Sequence, residues 1–314
     1  MPDWWIERGI GESRAVRLED GRIVEARILL DGRVAAGTRL QAKLKTIGPP
    51  AIAEADGQEY LLPRGARGAT EGAPLVIEVT REAIPGAEPW KRPLATLTGE
   101  APGDPPPLDA EALPFPGPAD RLAGAGWLDL VEEARSGIVR FAGGELRISA
   151  TAAMTLVDVD GYLPAEELAI RGAAEAARAV LRLDIGGSIG IDLPTVGSKA
   201  VRQRAAAAID AELPQPFERT AVNGFGFVQI VRPRLRASLV ELAQDRGPFE
   251  ARALLRRIAF EPAGAKRILA HPLVIRALEE RPEWLEALAR QIGGAVELRA
   301  DAALPISGGY AEKA

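Results

Sequence analysis

Three aspartates on two neighbouring apolar segments are the residues whose type and spacing best suit chemistry. Asp158 and Asp160 alternate with valines in TLVDVDG, and Asp192 ends GSIGID. Close carboxylates repel one another, and a divalent cation removes that repulsion. Oxygen ligands suit Mg²⁺ or Mn²⁺, which would activate a water molecule or neutralise charge on a phosphodiester. The structural alternative is that Asp160 and Gly161 form a turn and that Asp192 ends a strand before Pro194.

The composition excludes several other kinds of site. The chain has no cysteine and a single histidine, His271. Thiolate nucleophiles, disulfides and cysteine zinc sites are therefore excluded, and a Ser-His-Asp triad or a multi-histidine metal site is not expected. His271 precedes a proline at the start of a helical pattern, which predicts a capping or surface role. Carboxylates, lysines, arginines, hydroxyls or a hard metal must carry any chemistry.

Size and charge narrow the class of protein. The 314 residues are 47% hydrophobic and 26% charged, as in an ordinary soluble protein of two or three domains. No apolar run reaches the roughly 18 residues that span a bilayer, and the N-terminus lacks the pattern of a signal peptide, so we expect a cytoplasmic protein without membrane contact. The net charge is −5, yet basic residues outnumber acidic ones between Lys199 and Arg257. A nucleic-acid groove or a solvated helix face would explain this excess.

The pattern around the aspartates predicts a strand, a helix and a second strand. Residues 152–161 alternate in polarity, residues 164–184 have a helical pattern with an early proline and late arginines, and residues 186–194 are again apolar. Such a unit is right-handed with parallel strands, and ligand sites of parallel sheets lie at the carboxyl ends of the strands. Since Asp158 and Asp160 share one face, all three carboxylates are placed to converge.

The flanking sequence predicts smaller β-rich and α+β parts. The first 35 residues have the pattern of hairpins around an Asp-Gly turn. Short strands between about Gly37 and Leu97 suit a small closed barrel of the OB type, or a small sandwich. Residues 99–120 are rich in proline and acid, which favours a linker or irregular strap over a packed element. The tail, 249–314, has the pattern of a small α+β module.

The two acidic motifs lie in segments that resemble the catalytic core of the ribonuclease E/G family: GGELRISATAAMTLVDVDG and LRLDIGGSIGIDL. The resemblance covers most of the chain in order, because it continues in GARGATEGAPLVIEVTREAIPGAEPWKRPLAT, GFVQIVRPRLRASLVEL and GGAVELRADAALPISGGYAEK. In that family two aspartates bind Mg²⁺ at the site of RNA cleavage, and they match Asp158 and Asp192. The family has asparagine where this chain has Asp160, so an amide is replaced by an acceptor-only carboxylate.

The resemblance implies a mixed α+β chain of several subdomains. These are an RNase H-like β-rich subdomain (1–35 and 121–150), an OB-type RNA-binding barrel inserted near the N-terminus (36–98), a proline-rich linker (99–120), a DNase I-like α/β catalytic subdomain (151–246) and a small C-terminal α+β domain (247–314). The family's Cys-Pro-x-Cys zinc link is missing, and the linker is too short to hold the family's 5′-monophosphate sensor. We therefore expect no zinc, no zinc-linked dimer and a pared-down member of the family.

The function implied by the resemblance is Mg²⁺-dependent, or Mn²⁺-dependent, endonucleolytic cleavage of single-stranded or structured RNA in RNA processing or decay. Asp158 and Asp192 would hold the metal, with Asp160 as a third ligand or as a residue that positions one. An activated water would leave 5′-phosphate and 3′-hydroxyl ends. Two alternatives stand beside this hypothesis: a non-catalytic RNA-binding protein of the same fold, and an unrelated acidic phosphodiesterase acting on a small nucleotide.

Candidate RNA-binding residues lie in the basic segment and in the barrel. Those of the basic segment, which suit contacts with backbone phosphates, are Lys199, Arg202, Arg232, Arg234 and Arg236. Those of the barrel are Lys43, Lys45 and Lys91, which would guide RNA, and Tyr60, the one barrel aromatic placed to stack on a base. A solvated or salt-bridged face explains the arginines equally well, and ordinary surface positions explain the lysines.

Overall fold

Alternating polar and apolar residues form most strands of the chain, and amphipathic segments form its helices. A computed structural model describes residues 3–86 and 91–314. The strands are β1 (Trp4–Arg8), β2 (Glu12–Glu19), β3 (Arg22–Leu30), β4 (Arg39–Thr46), β5 (Ala51–Ala55), β6 (Gln58–Leu62), β7 (Pro74–Arg81), β8 (Leu94–Leu97), β9 (Ala110–Leu113), β10 (Ile138–Phe141), β11 (Gly144–Ala150), β12 (Thr155–Gly161), β13 (Gly187–Asp192), β14 (Glu218–Arg219), β15 (Phe227–Arg232), β16 (Lys266–Ala270), β17 (Val296–Ala300) and β18 (Tyr310–Lys313). The helices are α1 (Arg121–Gly124), α2 (Trp127–Ser136), α3 (Ala165–Arg182), α4 (Lys199–Glu212), α5 (Leu239–Gln244), α6 (Arg246–Ala259), α7 (Pro272–Glu279) and α8 (Pro282–Ile292).

The chain divides into two units, and the fold is mixed α+β as predicted. The first unit comprises Met1–Asp31, Asp109–Arg232 and Ser238–Ala314, and the second comprises Gly32–Leu108 and Pro233–Ala237. Sequence from the second unit thus interrupts the first near the N-terminus. Within the described residues no helix has the length and apolar character needed to cross a membrane.

The second unit contains a closed five-stranded barrel. Its strand order is β4-β5-β6-β8-β7, and β7 pairs back with β4. Among the five strand pairs described in the barrel, β6 and β8 are parallel and the other four are antiparallel. This order is consistent with the expected OB-type barrel, and all five strands lie within the predicted range 36–98. The inward-pointing residues of its strands fill the barrel, among them Leu44 and Ile77.

Tyr60 belongs to the core of this barrel, so the prediction that it stacks on RNA bases is wrong. Burial alternates along β6, and Tyr60 and Leu62 are the residues that point inward. Tyr60 is 1% exposed. A ring enclosed in this way fills the barrel and has no face open to a base. The strand pattern shows which residues share a face with Tyr60, but not which of the two faces is the inner one.

The described residues of the first unit form three sheets. Their strand orders are β3-β2-β1-β9, β10-β11-β12-β13-β15-β14 and β17-β16-β18. The predicted first hairpin is confirmed, since β2 and β3 are antiparallel and join at Asp20 and Gly21, which have φ values of 49° and 74°. Positive φ at both turn residues is the geometry for which Asp-Gly is favoured.

Residues 110–113 form a paired strand, so the prediction that all of 99–120 is an unpacked linker is wrong. Strand β9 runs parallel to β1, with Trp4 opposite Ala110 and Glu7 opposite Leu113. Leu113 is 8% exposed and joins the core. Prolines lie on both sides of β9 but not within it. The proline-rich composition of the whole segment therefore concealed a short strand.

A group of buried charged residues in the first unit connects the first sheet to α6. We call it the buried ion cluster. Its buried members are Glu7, Glu12, Arg14, Arg252 and Arg256, and the partly buried Asp120 joins it through Arg256. Glu7 accepts hydrogen bonds from Arg14 at 2.8 Å and from Arg256 at 2.9 Å. Arg256 also donates to Asp120 at 2.6 and 2.8 Å. Three carboxylates thus face three guanidinium groups, and the formal charge of the cluster balances.

Asp120→Asn should reduce the loss of stability in acid. Burial raises the pKa of Asp120, but hydrogen bonds from Arg256 and from the Ala123 amide outweigh burial and hold the pKa below its usual 3.8. A carboxyl whose pKa is lowered by folding stabilises the protein above its unfolded pKa, and this stabilisation is lost as the pH falls through the folded value. Urea unfolding measured from about pH 5 to about pH 2 should show a steeper decline for wild type than for the variant.

The matched control for this measurement is Asp104→Asn, which removes an exposed carboxylate and should leave the pH dependence as in wild type. Parallel curves for wild type and Asp120→Asn would show that Asp120 contributes nothing to acid unfolding.

Candidate active site

The strand–helix–strand unit predicted around the aspartates is formed by β12, α3 and β13. The two strands are parallel, and Asp158 is the direct partner of Asp192 in their register. Neighbouring strands are about 4.8 Å apart, so the two carboxylates project from adjacent positions. Asp192 is the last residue of β13, and Asp158 is the last residue of β12 that pairs with β13, so the pair lies where the parallel pairing ends, at the edge where parallel sheets place ligand sites. The structure therefore brings the first and the third of the predicted acidic residues together.

The aspartates lie on an open face of the sheet. Along β12 the residues Thr155, Val157 and Val159 are buried, whereas Asp158 and Asp160 are exposed. Helix α3 covers the opposite face. It packs closely there, because a side chain at Gly172 of α3 would begin 2.3 Å from the Val159 side chain. The carboxylates are therefore hydrated rather than buried among apolar residues. What sets them apart is the proximity of two negative charges.

Asp160 lies further along β12 than the pair. Two residues along a strand are about 6.6 Å apart. Its carboxylate accepts a hydrogen bond of 2.8 Å from the Gly161 amide, and its cross-strand neighbour is Glu145 of β11. Among residues 3–86 and 91–314, no group of three or more His, Cys, Asp or Glu side chains is placed to hold a metal ion. The expected convergence of three carboxylates is thus not seen, and the site consists of a pair.

Two neighbours of the pair were not identified from the sequence. Arg147 of β11 lies opposite Asp158 and makes an ion pair of 2.8 Å with Glu145. On the other side, Phe227 of β15 lies opposite Asp192. The carboxylate pair is therefore flanked by a guanidinium and by an aromatic ring. Only the strand register places these residues beside the aspartates, so no local signal in the sequence would have found them.

An apolar surface adjoins the pair on β13. A side chain at Gly190 would begin 2.6 Å from the ring of Phe227 and 3.1 Å from Leu156. The absence of a side chain at Gly190 thus allows these two residues to lie over the strand. Leu156 remains 39% exposed, so the open face carries apolar as well as charged groups.

The basic residues of the first unit have mixed roles. Arg202 donates to the carbonyl oxygens of Val196 and Gly197, at 2.8 and 2.9 Å, and so fixes the loop that precedes α4. Arg232 donates to the carbonyl oxygen of Ile185 at 3.2 Å. Lys199 is the exposed first residue of α4. For Arg202 and Arg232 the structure therefore shows a local structural role, whereas Lys199 faces solvent.

The remaining candidates belong to the second unit. Arg234 and Arg236 lie in its short segment 233–237, and Arg236 is 3.5 Å from Glu82. Lys43 and Lys45 occupy outward positions of β4. Lys45 makes an ion pair of 2.8 Å with Glu54, and the hydrogen bond with this carboxylate raises the pKa of Lys45.

Two further residues that the sequence analysis considered are Lys91 and His271. Lys91 is partly buried. His271 is the N-cap of α7, where its Nδ1 accepts a hydrogen bond of 3.2 Å from the Leu273 amide. The predicted capping role of the single histidine is confirmed.

Comparisons with known proteins do not assign the chain to a family. No family model matches it, and no curated protein is similar to it in sequence. The likeness of its acidic motifs to the ribonuclease E/G family therefore depends on the segments quoted above and on their order along the chain.

Proposed function

We propose that the protein is a Mg²⁺-dependent endoribonuclease that cleaves single-stranded RNA. The observation that carries the proposal is the direct pairing of Asp158 with Asp192 where the parallel pairing of β12 with β13 ends. Two carboxylates at adjacent positions repel each other, and an opposite charge near both relieves this repulsion. The strands that carry them are the segments that resemble the catalytic core of the ribonuclease E/G family.

The donor set fits a hard divalent cation. Mg²⁺ is usually held through one or two carboxylates, with water and substrate phosphates supplying the remaining oxygens. Asp158 and Asp192 would hold it, and a third protein ligand is not required for this fit. When bound, Mg²⁺ supplies a Lewis acid that lowers the pKa of water and neutralises charge on a phosphodiester. Mn²⁺ has the same preference for oxygen ligands and is expected to replace it.

The residues around the pair supply the other requirements of RNA binding. Without a cation, the carboxylates of Asp158 and Asp192 repel the RNA backbone. Arg147, opposite Asp158, provides a guanidinium that suits hydrogen bonds to phosphate oxygens. The exposed face on which the pair lies leaves access for an extended strand. Products with 5′-phosphate and 3′-hydroxyl ends are expected from the resemblance.

The same proposal gives roles to the catalytic subdomain and to the barrel, and it bears on the assembly of the protein. Residues 151–246 would be a DNase I-like catalytic subdomain, for which the mixed sheet of β12, β13 and β15 is the supporting feature. The barrel would bind RNA through Lys43 and Lys45, which lie on its outer surface. Since the chain lacks cysteine, its assembly would not use a cysteine-bound zinc.

A cleavage assay with a fluorescent, unstructured RNA tests the proposal. We expect cleavage in Mg²⁺ or Mn²⁺ and none in EDTA, with products that a 3′-end polymerase extends and a ligase joins through their 5′-phosphate. Calorimetry should also register uptake of Mn²⁺ in the presence of a non-cleavable oligonucleotide. Absence of both cleavage and Mn²⁺ uptake would contradict the proposal. RNA binding without cleavage in any metal would instead favour the non-catalytic alternative, which agrees with the absence of a third acidic ligand among the described residues.

A further inference from the structure

A cavity of about 500 Å³ lies at the end of β12, and Asp160, two residues beyond Asp158, is part of its lining. Its lining includes Arg140 and Phe141 of β10, Glu145 of β11, Asp160 of β12, and Tyr162, the first residue after β12. The volume is within the range of small-molecule sites and is sufficient for a nucleobase. None of the functions considered above uses Arg140, Phe141 or Tyr162.

Glycines allow the backbone to form this cavity. The turn between β10 and β11 contains Gly143 at φ 105°, and its carbonyl oxygen accepts a hydrogen bond of 3.1 Å from the Tyr162 amide. A side chain at Gly161 would begin 2.4 Å from that same oxygen, and one at Gly144 would begin 2.8 Å from the Phe141 ring. Close approach of the turn to the end of β12 thus fixes the backbone of Tyr162.

The side chains at the cavity have complementary chemistry. Tyr162 is 85% exposed, which leaves its ring available for stacking. Asp160 and Glu145 are cross-strand partners, so two carboxylates, which only accept hydrogen bonds when ionised, lie together. The Gly161 amide holds one oxygen of Asp160. Arg147 neutralises Glu145 through an ion pair of 2.8 Å, so Asp160 is the carboxylate more available to a ligand.

A base that has adjacent N–H donors and is attached to an anionic phosphate backbone matches these groups. Aromatic side chains stack on unpaired bases. Carboxylates accept hydrogen bonds from base N–H groups, and guanine is the base that presents N1–H and its exocyclic amine side by side on the Watson–Crick edge. Arg140, which is exposed, suits a phosphate oxygen.

We propose that the cavity binds an unpaired guanine of the RNA strand that is cut at the Asp158 and Asp192 pair. The proposal rests on the proposed function. Tyr162 stacks on the base, Asp160 accepts hydrogen bonds from its Watson–Crick edge, and Arg140 contacts a neighbouring phosphate. Tyr162 lies four positions beyond Asp158, a span of at most about 13 Å in a strand. The guanine therefore belongs to a nucleotide close to the scissile phosphate.

Single-turnover cleavage of oligouridine RNAs with one central guanine, adenine or abasic position tests this subsite. We expect wild type to cut near guanine about tenfold faster than near adenine. Tyr162→Ala should lose about fivefold or more in affinity for the guanine RNA, because stacking on one base contributes at least this much, and Tyr162→Phe should restore it. Asp160→Asn should abolish the preference for guanine over adenine. The control is Tyr310→Ala, at another exposed tyrosine, which should behave as wild type.

Equilibrium binding of the trinucleotides UGU and UAU in EDTA tests the subsite without cleavage. A preference for UGU that is lost in both Tyr162→Ala and Asp160→Asn supports it. Equal affinities for the two trinucleotides, or a preference unchanged in both variants, would overturn it. Cleavage that depends on Asp158 but shows no preference for guanine would overturn the subsite alone. A UGU preference without any cleavage would overturn the nuclease proposal alone.

Discussion

Asp158→Asn and Asp192→Asn should each reduce Mg²⁺-dependent RNA cleavage by about 1,000-fold or more. Each change removes one of the two carboxylates that the strand register places side by side. Metal-assisted charge stabilisation is worth several kcal/mol, and each 1.36 kcal/mol corresponds to a factor of ten in rate. Asparagine keeps the size of the side chain, and both positions are exposed, so folding should be unaffected. Single-turnover rates at saturating protein measure the effect.

The control for these variants is Asp109→Asn. This change alters an exposed aspartate that lies outside β12 and β13, and it should retain the wild-type rate. Higher Mg²⁺ should partly restore each single variant, because the remaining carboxylate still contributes one ligand. The double variant should not respond. Wild-type cleavage by both single variants would identify the activity as a contaminant.

Glu7→Ala should lower the free energy of unfolding by about 3–5 kcal/mol, the usual effect of removing one partner from a buried ion pair. Glu7 is 2% exposed and accepts from both Arg14 and Arg256. Without it, the buried ion cluster has one uncompensated guanidinium group in a region closed to water. Urea unfolding at neutral pH, with the same slope assumed for both proteins, gives the difference.

A matched measurement uses Glu19→Ala. Glu19 is paired with Arg17 at 2.5 Å, but its side chain is 61% exposed, and exposed ion pairs contribute at most about 1 kcal/mol. Comparable losses for the two variants would show that burial of the cluster around Glu7 has no energetic consequence.

The elements that carry the candidate site could be predicted because their patterns are local. Valines alternating with aspartates require one face of β12 to be apolar, and a strand–helix–strand sequence of this length favours a parallel pair. These two rules were sufficient to expect Asp158 near Asp192. The short strands and turns of the barrel followed in the same way, as did the cap formed by His271.

What could not be predicted depends on contacts between distant segments. Alternation does not state which face of a strand becomes the interior, and Tyr60 was therefore placed outside a barrel that it fills. The pairing of β9 with β1 depends on residues about a hundred positions apart, which leave no mark on the sequence between them. Arg202 looked like a phosphate ligand because its charge is visible in the sequence, whereas the two carbonyl groups that it caps are not.

The interruption of the first unit by the barrel has a consequence for the order of assembly. Strand β1 is synthesised first, but its neighbour β9 follows only after the whole of Gly32–Leu108, and Arg256, which pairs with Glu7, comes later still. The five barrel strands pair with one another within residues 39–97. During synthesis a domain whose contacts are local folds before one that must wait for distant segments. The nascent strands β1, β2 and β3 therefore emerge with an unpaired edge at β1, which stays exposed until the inserted segment has been completed.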